Sequence, residues 1–248
     1  LQYVTGADPL SVVMYTPLML CGFLSLSTFA LANQATRDVL FASFAALLSV
    51  VSSQTAIGLG AAIFANWFAL GLVNVFFTLL LKAQTDRSRA AMMMAPVVSL
   101  LVLFVHPYTW GAVIGVVAVM SVAVLMGRPF KLSEVKRDGT PIVSVLLLNM
   151  TFLYLAWTFV PGVAASLRGA LATVETPNVP VLRLLDATID HARNRLDATM
   201  MVLLSIVGIA DIPLLSGSFK RVLAGTIIVA VLFTLIAPNI DYTWRGLY

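Results

Sequence analysis

The sequence predicts an all-α protein, a polytopic bundle of transmembrane helices, and three observations carry that prediction. Hydrophobic residues make up 60% of the chain and charged ones only 10%, with a mean hydropathy of +0.98, whereas soluble domains carry about 25% charge. The apolar residues fall in runs near the ~20 residues a bilayer needs, too long for the ~10-residue alternating strands of a membrane barrel. The basic residues gather in short connections between those runs, where they orient helices rather than bind nucleic acid. A water-soluble core of this size has nowhere to hide so much apolar surface.

About eight spans can be read in order. The first runs from about Pro9 to Leu31, behind Thr5-Gly6-Ala7-Asp8. A short second span, Asp38 to Val51, is followed by Ser52-Ser53-Gln54 as a brief turn. The third, Ala56 to Leu81, starts with Gly58, Gly60, Ala61, Ala62 and Ala65, small residues that let a neighbouring helix come close. A charged connection with Lys82, Asp86, Arg87 and Arg89 leads to the fourth span, Met92–Val105.

His106-Pro107-Tyr108-Thr109-Trp110 separates that span from the fifth, Gly111–Met126. Pro107 interrupts the helical hydrogen-bond ladder, and Tyr108 and Trp110 each pair an apolar ring with one polar handle. The five residues read as a tight turn at a membrane surface, either an aromatic anchor or one wall of a polar site. Gly111-x-x-x-Gly115 puts two glycines on one face, a packing signature.

A charged loop with Arg128, Lys131, Glu134, Lys136, Arg137 and Asp138 precedes the sixth span, Pro141 to about Leu167. Asn149-Met150-Thr151 has the glycosylation pattern but lies inside the apolar run, out of reach of the modifying enzyme. These spans make up a first section, residues 1–167. Residues 168–197 form the one long non-spanning segment. Its second half, Val181–Leu196, sets Leu182, Leu185, Ile189, Ala192 and Leu196 at three- and four-residue steps with charges between them. That is an amphipathic helix suited to the membrane interface. The last section, 198–248, holds the seventh span, Ala198–Leu215, the eighth, Val222–Ala237, and a short end.

Connections after spans one, three, five and seven carry ten of the fifteen Lys and Arg residues, so the positive-inside rule puts them in the cytoplasm. Both ends, the His106 turn and the amphipathic segment then face outward in a cell membrane.

The chemistry is narrow. Two histidines on separate segments do not supply the facing pairs of a haem-b protein, and one cysteine, Cys21, excludes a thiolate cluster and an intrachain disulfide. No phosphate loop of the Walker type is present. Asp211 is the one acid inside an apolar run, a candidate by default, although Ile212-Pro213 and Lys220 suit a helix-end carboxylate equally. Arg245 follows Tyr242 and Trp244, where its planar fork suits either a lipid phosphate or a snorkelling anchor.

Thr5-Gly6-x-Asp8-Pro9, Ser52-Ser53, Asn66-Trp67, His106-Pro107-x-Thr109-Trp110 and Trp244-Arg245-x-Leu247-Tyr248 together resemble the later spans of archaeal or bacterial GT-C-class glycosyltransferases. The resemblance implies sugar transfer from a polyprenyl-phosphate donor at the outer face. It implies lipid-phosphate contact by Arg245, with Arg183 and Arg193, and a pocket wall of His106, Tyr108 and Trp110. The catalytic acid of that class lies in an earlier outward loop, upstream of Leu1, which with the Leu start suggests a C-terminal portion of a longer chain. No cofactor is specified; a divalent metal suits the class, but the sequence shows no ligand set for it. The competing readings are a non-catalytic helical subunit of a larger complex and, third, a small-solute transporter. A transporter predicts repeated halves that the sequence does not show.

Overall fold

The computed structural model describes residues 6, 8–51, 64–126, 132–160 and 217–236. Every regular element among them is an α-helix. They are α1 (Pro9–Thr36), α2 (Val39–Val51), α3 (Phe64–Thr85), α4 (Arg89–Val105), α5 (Pro107–Met126), α6 (Leu132–Phe159) and α7 (Gly217–Ile236). Four of these, in α1, α3, α5 and α6, are long and apolar enough to cross a membrane; α2 and α4 are apolar but shorter. Of the eight expected spans, the seventh, the start of the third and the end of the sixth lie outside the described residues, as does the amphipathic segment.

Side-chain contacts fix the helix directions. Gln34 on α1 bonds Thr85 on α3, Asn74 on α3 bonds Thr28 on α1, and Phe23 stacks on Phe68, so α1 and α3 run parallel. Ser25 on α1 reaches the Ala46 carbonyl on α2, the antiparallel return. Phe104 on α4 meets Phe152 on α6, while Gly115 and Gly225 bring α5 and α7 together head to tail. One end of the bundle therefore collects Asp8, the start of α3, His106, Tyr108 and the end of α6. The other collects Arg37, Asp38, Lys82, Asp86, Arg87, Arg89, Lys220 and Arg221. These will be called the histidine end and the charged end.

The core lies among α3 to α7, with Phe76, Leu80, Val102, Val117, Met120, Ile142 and Val145 all within 1% of complete burial. Around it the surface is the inverse of a soluble protein's. Leu40 is 82% exposed, Met19 75% and Phe104 67%, as expected of side chains that face acyl chains instead of water.

Close approach is obtained with small residues. A Cβ on Gly71 would collide with the Phe23 ring, so α3 offers a notch into which that ring fits. A Cβ on Gly115 would come 3.2 Å from Val229, and one on Gly225 would come 3.1 Å from the Val116 carbonyl. Of the Gly111–Gly115 pair, only Gly115 packs; Gly111 has open space beside it.

Three boundaries differ from expectation. The joint between the fourth and fifth spans is not a five-residue turn. His106 alone separates α4 from α5, and Pro107 is the first residue of α5, where its missing N–H costs nothing and its fixed φ suits the helix. The charged connection after the third span contracts to Asp86–Ser88, since Lys82 lies in the last turn of α3 and Arg89 begins α4. The sixth helix starts at Leu132, nine residues before Pro141, so Glu134, Lys136, Arg137 and Asp138 lie on helix rather than in a loop. Glu, Lys and Arg are good helix formers, so the helix can begin ahead of the apolar stretch.

Candidate functional site

His106 serves two helices at once. Its backbone N–H donates to the Val102 carbonyl at 2.8 Å and closes α4, while its carbonyl accepts from the Trp110 N–H at 3.1 Å and opens α5. Its φ and ψ of −154° and 91° are extended, the geometry of a residue between helices. The imidazole completes the cap: Nδ1 accepts the Thr109 backbone N–H at 3.3 Å and lies 2.7 Å from the Thr109 hydroxyl. A nitrogen that accepts a backbone N–H carries no proton, so the ring is the neutral Nε2–H tautomer, with the Thr109 O–H donating as well. Burial holds the imidazole below its ordinary pKa of 6.5. Tyr108, with its ring centroid 5.9 Å from that of His106, is 63% exposed at the end of the bundle.

Trp110 faces the other way. Instead of anchoring in headgroups or lining a pocket, its indole Nε1 donates to Asn149 Oδ1 on α6 at 2.8 Å. The Ser99 hydroxyl on α4 donates to the same oxygen at 2.9 Å, and Asn149 Nδ2 donates to the Val145 carbonyl at 2.8 Å. The indole is a donor only, which fixes the amide orientation. Asn149 and Ser99 are both 0% exposed. Three helices thus meet at one amide, and both acceptor sites of its oxygen are used. In the sequence Asn149 stands out only as a glycosylation pattern placed out of reach in an apolar run. The signal that could have found it is the rarity of a lone amide in an apolar run, which must find a partner on another helix.

A second polar cluster occupies the charged end. Asp86 receives the Arg37 guanidinium at 2.6 Å, the Gln34 amide at 3.4 Å and the Thr85 hydroxyl at 3.1 Å. Desolvation works to raise the Asp86 carboxyl, but the Thr85 bond and the Arg37 bond and charge, with Gln34, outweigh it and hold the group below the ordinary carboxylate value. Asp38 and Ser88 cap α2 and α4 through the N–H groups of Leu40 and Phe41 and of Ala91. An apolar groove of about 420 Å³ separates α5 from α6, lined by Ser121, Leu125, Thr140, Val143, Ser144 and Leu147. Ser121 and Ser144 turn their hydroxyls onto carbonyls of their own helices.

Of the six residues expected to contact substrate, the structure brings His106, Tyr108 and Trp110 onto the first turn of α5 or its cap, without converging their polar atoms. Arg183, Arg193 and Arg245 lie outside the described residues, as do Asp211 and His191. Among the described residues no three His, Cys, Asp or Glu side chains cluster.

No family model, curated protein or solved structure matches the chain. The likeness to lipid-linked glycosyltransferases therefore rests on its short motifs alone.

Proposed function

We propose that this chain is an integral membrane subunit, an eight-span helical scaffold that holds its place in a larger assembly by packing. The carrying observation is the Asn149 node. Trp110, which the transferase resemblance would aim at a sugar, is spent on an interhelical bond in the interior. Of the described residues nominated for substrate, His106 thus caps a helix and Trp110 joins two, and the apolar flanks leave broad surface for neighbours. Positive charge gathered at one end supports an orientation with Arg37, Arg87 and Lys220 in the cytoplasm and Tyr108 outside, in a cell membrane.

Two measurements test this reading. The protein extracted in mild detergent is expected to migrate in a particle well above its own 26.6 kDa after correction for detergent. A monodisperse monomer that transfers sugar from a polyprenyl-phosphate donor, and loses that transfer in Arg245→Ala at unchanged abundance, would overturn it. For orientation, Tyr108→Cys in a Cys21→Ser background is expected to react with an impermeant maleimide on intact cells. Arg87→Cys should react only after permeabilisation, and the reverse pattern would invert the topology.

A further inference from the structure

We infer that His106 is a proton-operated latch on the α4–α5 corner: neutral, its Nδ1 caps α5, and protonated, it releases the first turn of that helix. The geometry leaves the imidazole no way to hold the cap in both states. The neutral ring presents a lone pair at Nδ1, which the Thr109 N–H and O–H share. Once protonated, Nδ1 is a donor. The Thr109 hydroxyl can rotate to accept from it, but the Thr109 backbone N–H can only donate and loses its partner. The charge arrives between the positive end of the α5 dipole, which disfavours it, and the negative C-terminal end of α4, which favours it, so the two dipole effects oppose each other. The loss of the cap therefore carries the release.

Among the described residues, the surrounding elements bring no carboxylate onto the ring. On α5 the titratable neighbour is the Tyr108 phenol. On α4, Val102 to Val105 carry no charge, and the Asn149–Phe159 half of α6 offers only the Tyr154 phenol. α2 and the Phe64–Leu81 stretch of α3 have no charged residue, Lys220 and Arg221 on α7 sit at the far end, and α1 begins at the histidine end with Asp8. Asp8 accepts the Ser11 N–H as a cap of its own helix. Among the described residues no carboxylate bonds to the ring, so the imidazolium has no ion-pair partner there.

The joint is also short enough to transmit the change. With one residue between the helices, loosening the cap frees the Thr109–Trp110 step, and Trp110 is the residue that carries α5 to Asn149 on α6. The sign follows from burial lowering the His106 pKa. Stability is full above the ordinary imidazole value, where the ring is neutral in folded and unfolded chains alike. It falls as pH drops through that value, because the unfolded chain takes up the proton first, and levels off below the lowered folded value.

The test uses the full chain in lipid nanodiscs with Trp110 as its only tryptophan (Trp67→Phe, Trp157→Phe, Trp244→Phe), titrated between roughly pH 7.5 and pH 4. Trp110 emission should shift to the red, and the protection factors of the Thr109 and Trp110 amides, referred to the intrinsic exchange rate at each pH, should fall about tenfold, the size of a lost N-cap. The midpoint should fall below 6.5. His106→Asn and His106→Ser cap without titrating, so both should flatten the curve; His191→Gln should leave it intact. A transition that persists in both cap-competent variants overturns the proposal, as does a parent protein with no transition. Should either variant lose helicity, the imidazole ¹⁵N signals of the parent decide. An unprotonated Nδ1 at neutral pH that gains its proton along the emission curve supports the latch, and an Nδ1–H tautomer at neutral pH overturns it.

Discussion

The Asn149 node and the Arg37–Asp86 cluster both tie helices together through polar groups, yet they do so under opposite conditions. The node is neutral, sealed from solvent and shared by α4, α5 and α6. The cluster is ionic and open, with the Arg37 and Asp86 side chains 59% and 34% exposed. Water competes for every bond in the second, whereas in the first the acceptor Asn149 and its partner Ser99 are wholly buried. The bland amide therefore matters more than the visible salt bridge, the reverse of what a charge-led reading of the sequence suggests.

That ranking can be broken in order of size. Asn149→Ala strands an indole N–H and a hydroxyl in a dry interior and should cost about 2 kcal/mol, above the ~0.6 kcal/mol typical of one interhelical bond in a membrane, because two donors lose one acceptor. Resistance to SDS in mixed micelles measures it, and the triple change Ser99→Ala, Trp110→Phe, Asn149→Leu should recover most of the loss. Failure of the triple variant to recover would mean that Asn149 acts through shape rather than through its bonds. A purely apolar contact sets the intermediate scale. Gly71→Ala drives a methyl into the Phe23 ring and should cost about 1.5 kcal/mol, relieved in part by Phe23→Leu in the same chain.

The smallest effect belongs to the ion pair. Arg37→Ala or Asp86→Ala should change stability by less than about 1 kcal/mol, and less still at high salt. The Asp86 carboxyl is held below its ordinary value, so whatever it contributes is present above the unfolded carboxylate range. That contribution disappears as pH falls through the lowered folded value. An Arg37 effect as large as that of Asn149 would reverse the comparison.

How much of this was legible in the sequence follows from the same physics. Apolar runs and their charged punctuation are local, so the helices α1, α2, α4 and α5 and the position of the α4–α5 joint could be read directly, with α1 and α5 long and apolar enough to cross a membrane. The sequence also showed that Pro107 marks a boundary. It did not show which side of the proline the helix lies on, because Pro ends one helix as readily as it starts the next. Trp110 was misplaced because an aromatic beside a joint looks the same whether it points to headgroups or to an interior amide. Its partner is 39 residues away, and only packing brings the two together. In the sequence, Glu134 to Asp138 look like loop because charge beside an apolar run commonly marks a connection, although the helix extends past the apolar boundary.

One further consequence belongs to α4, which is fixed at both ends by Ser88 and His106 and has 17 residues. At ~1.5 Å per residue it is about 26 Å long, short of the ~30 Å hydrocarbon layer of an average bilayer. Its Val97, Leu101 and Phe104 are nevertheless exposed on the bundle's flank. A helix of that length, where it crosses a bilayer, draws in the lipids beside it by a few ångströms, which α3, with 22 residues, does not require. Such a one-sided mismatch suits a thinner membrane.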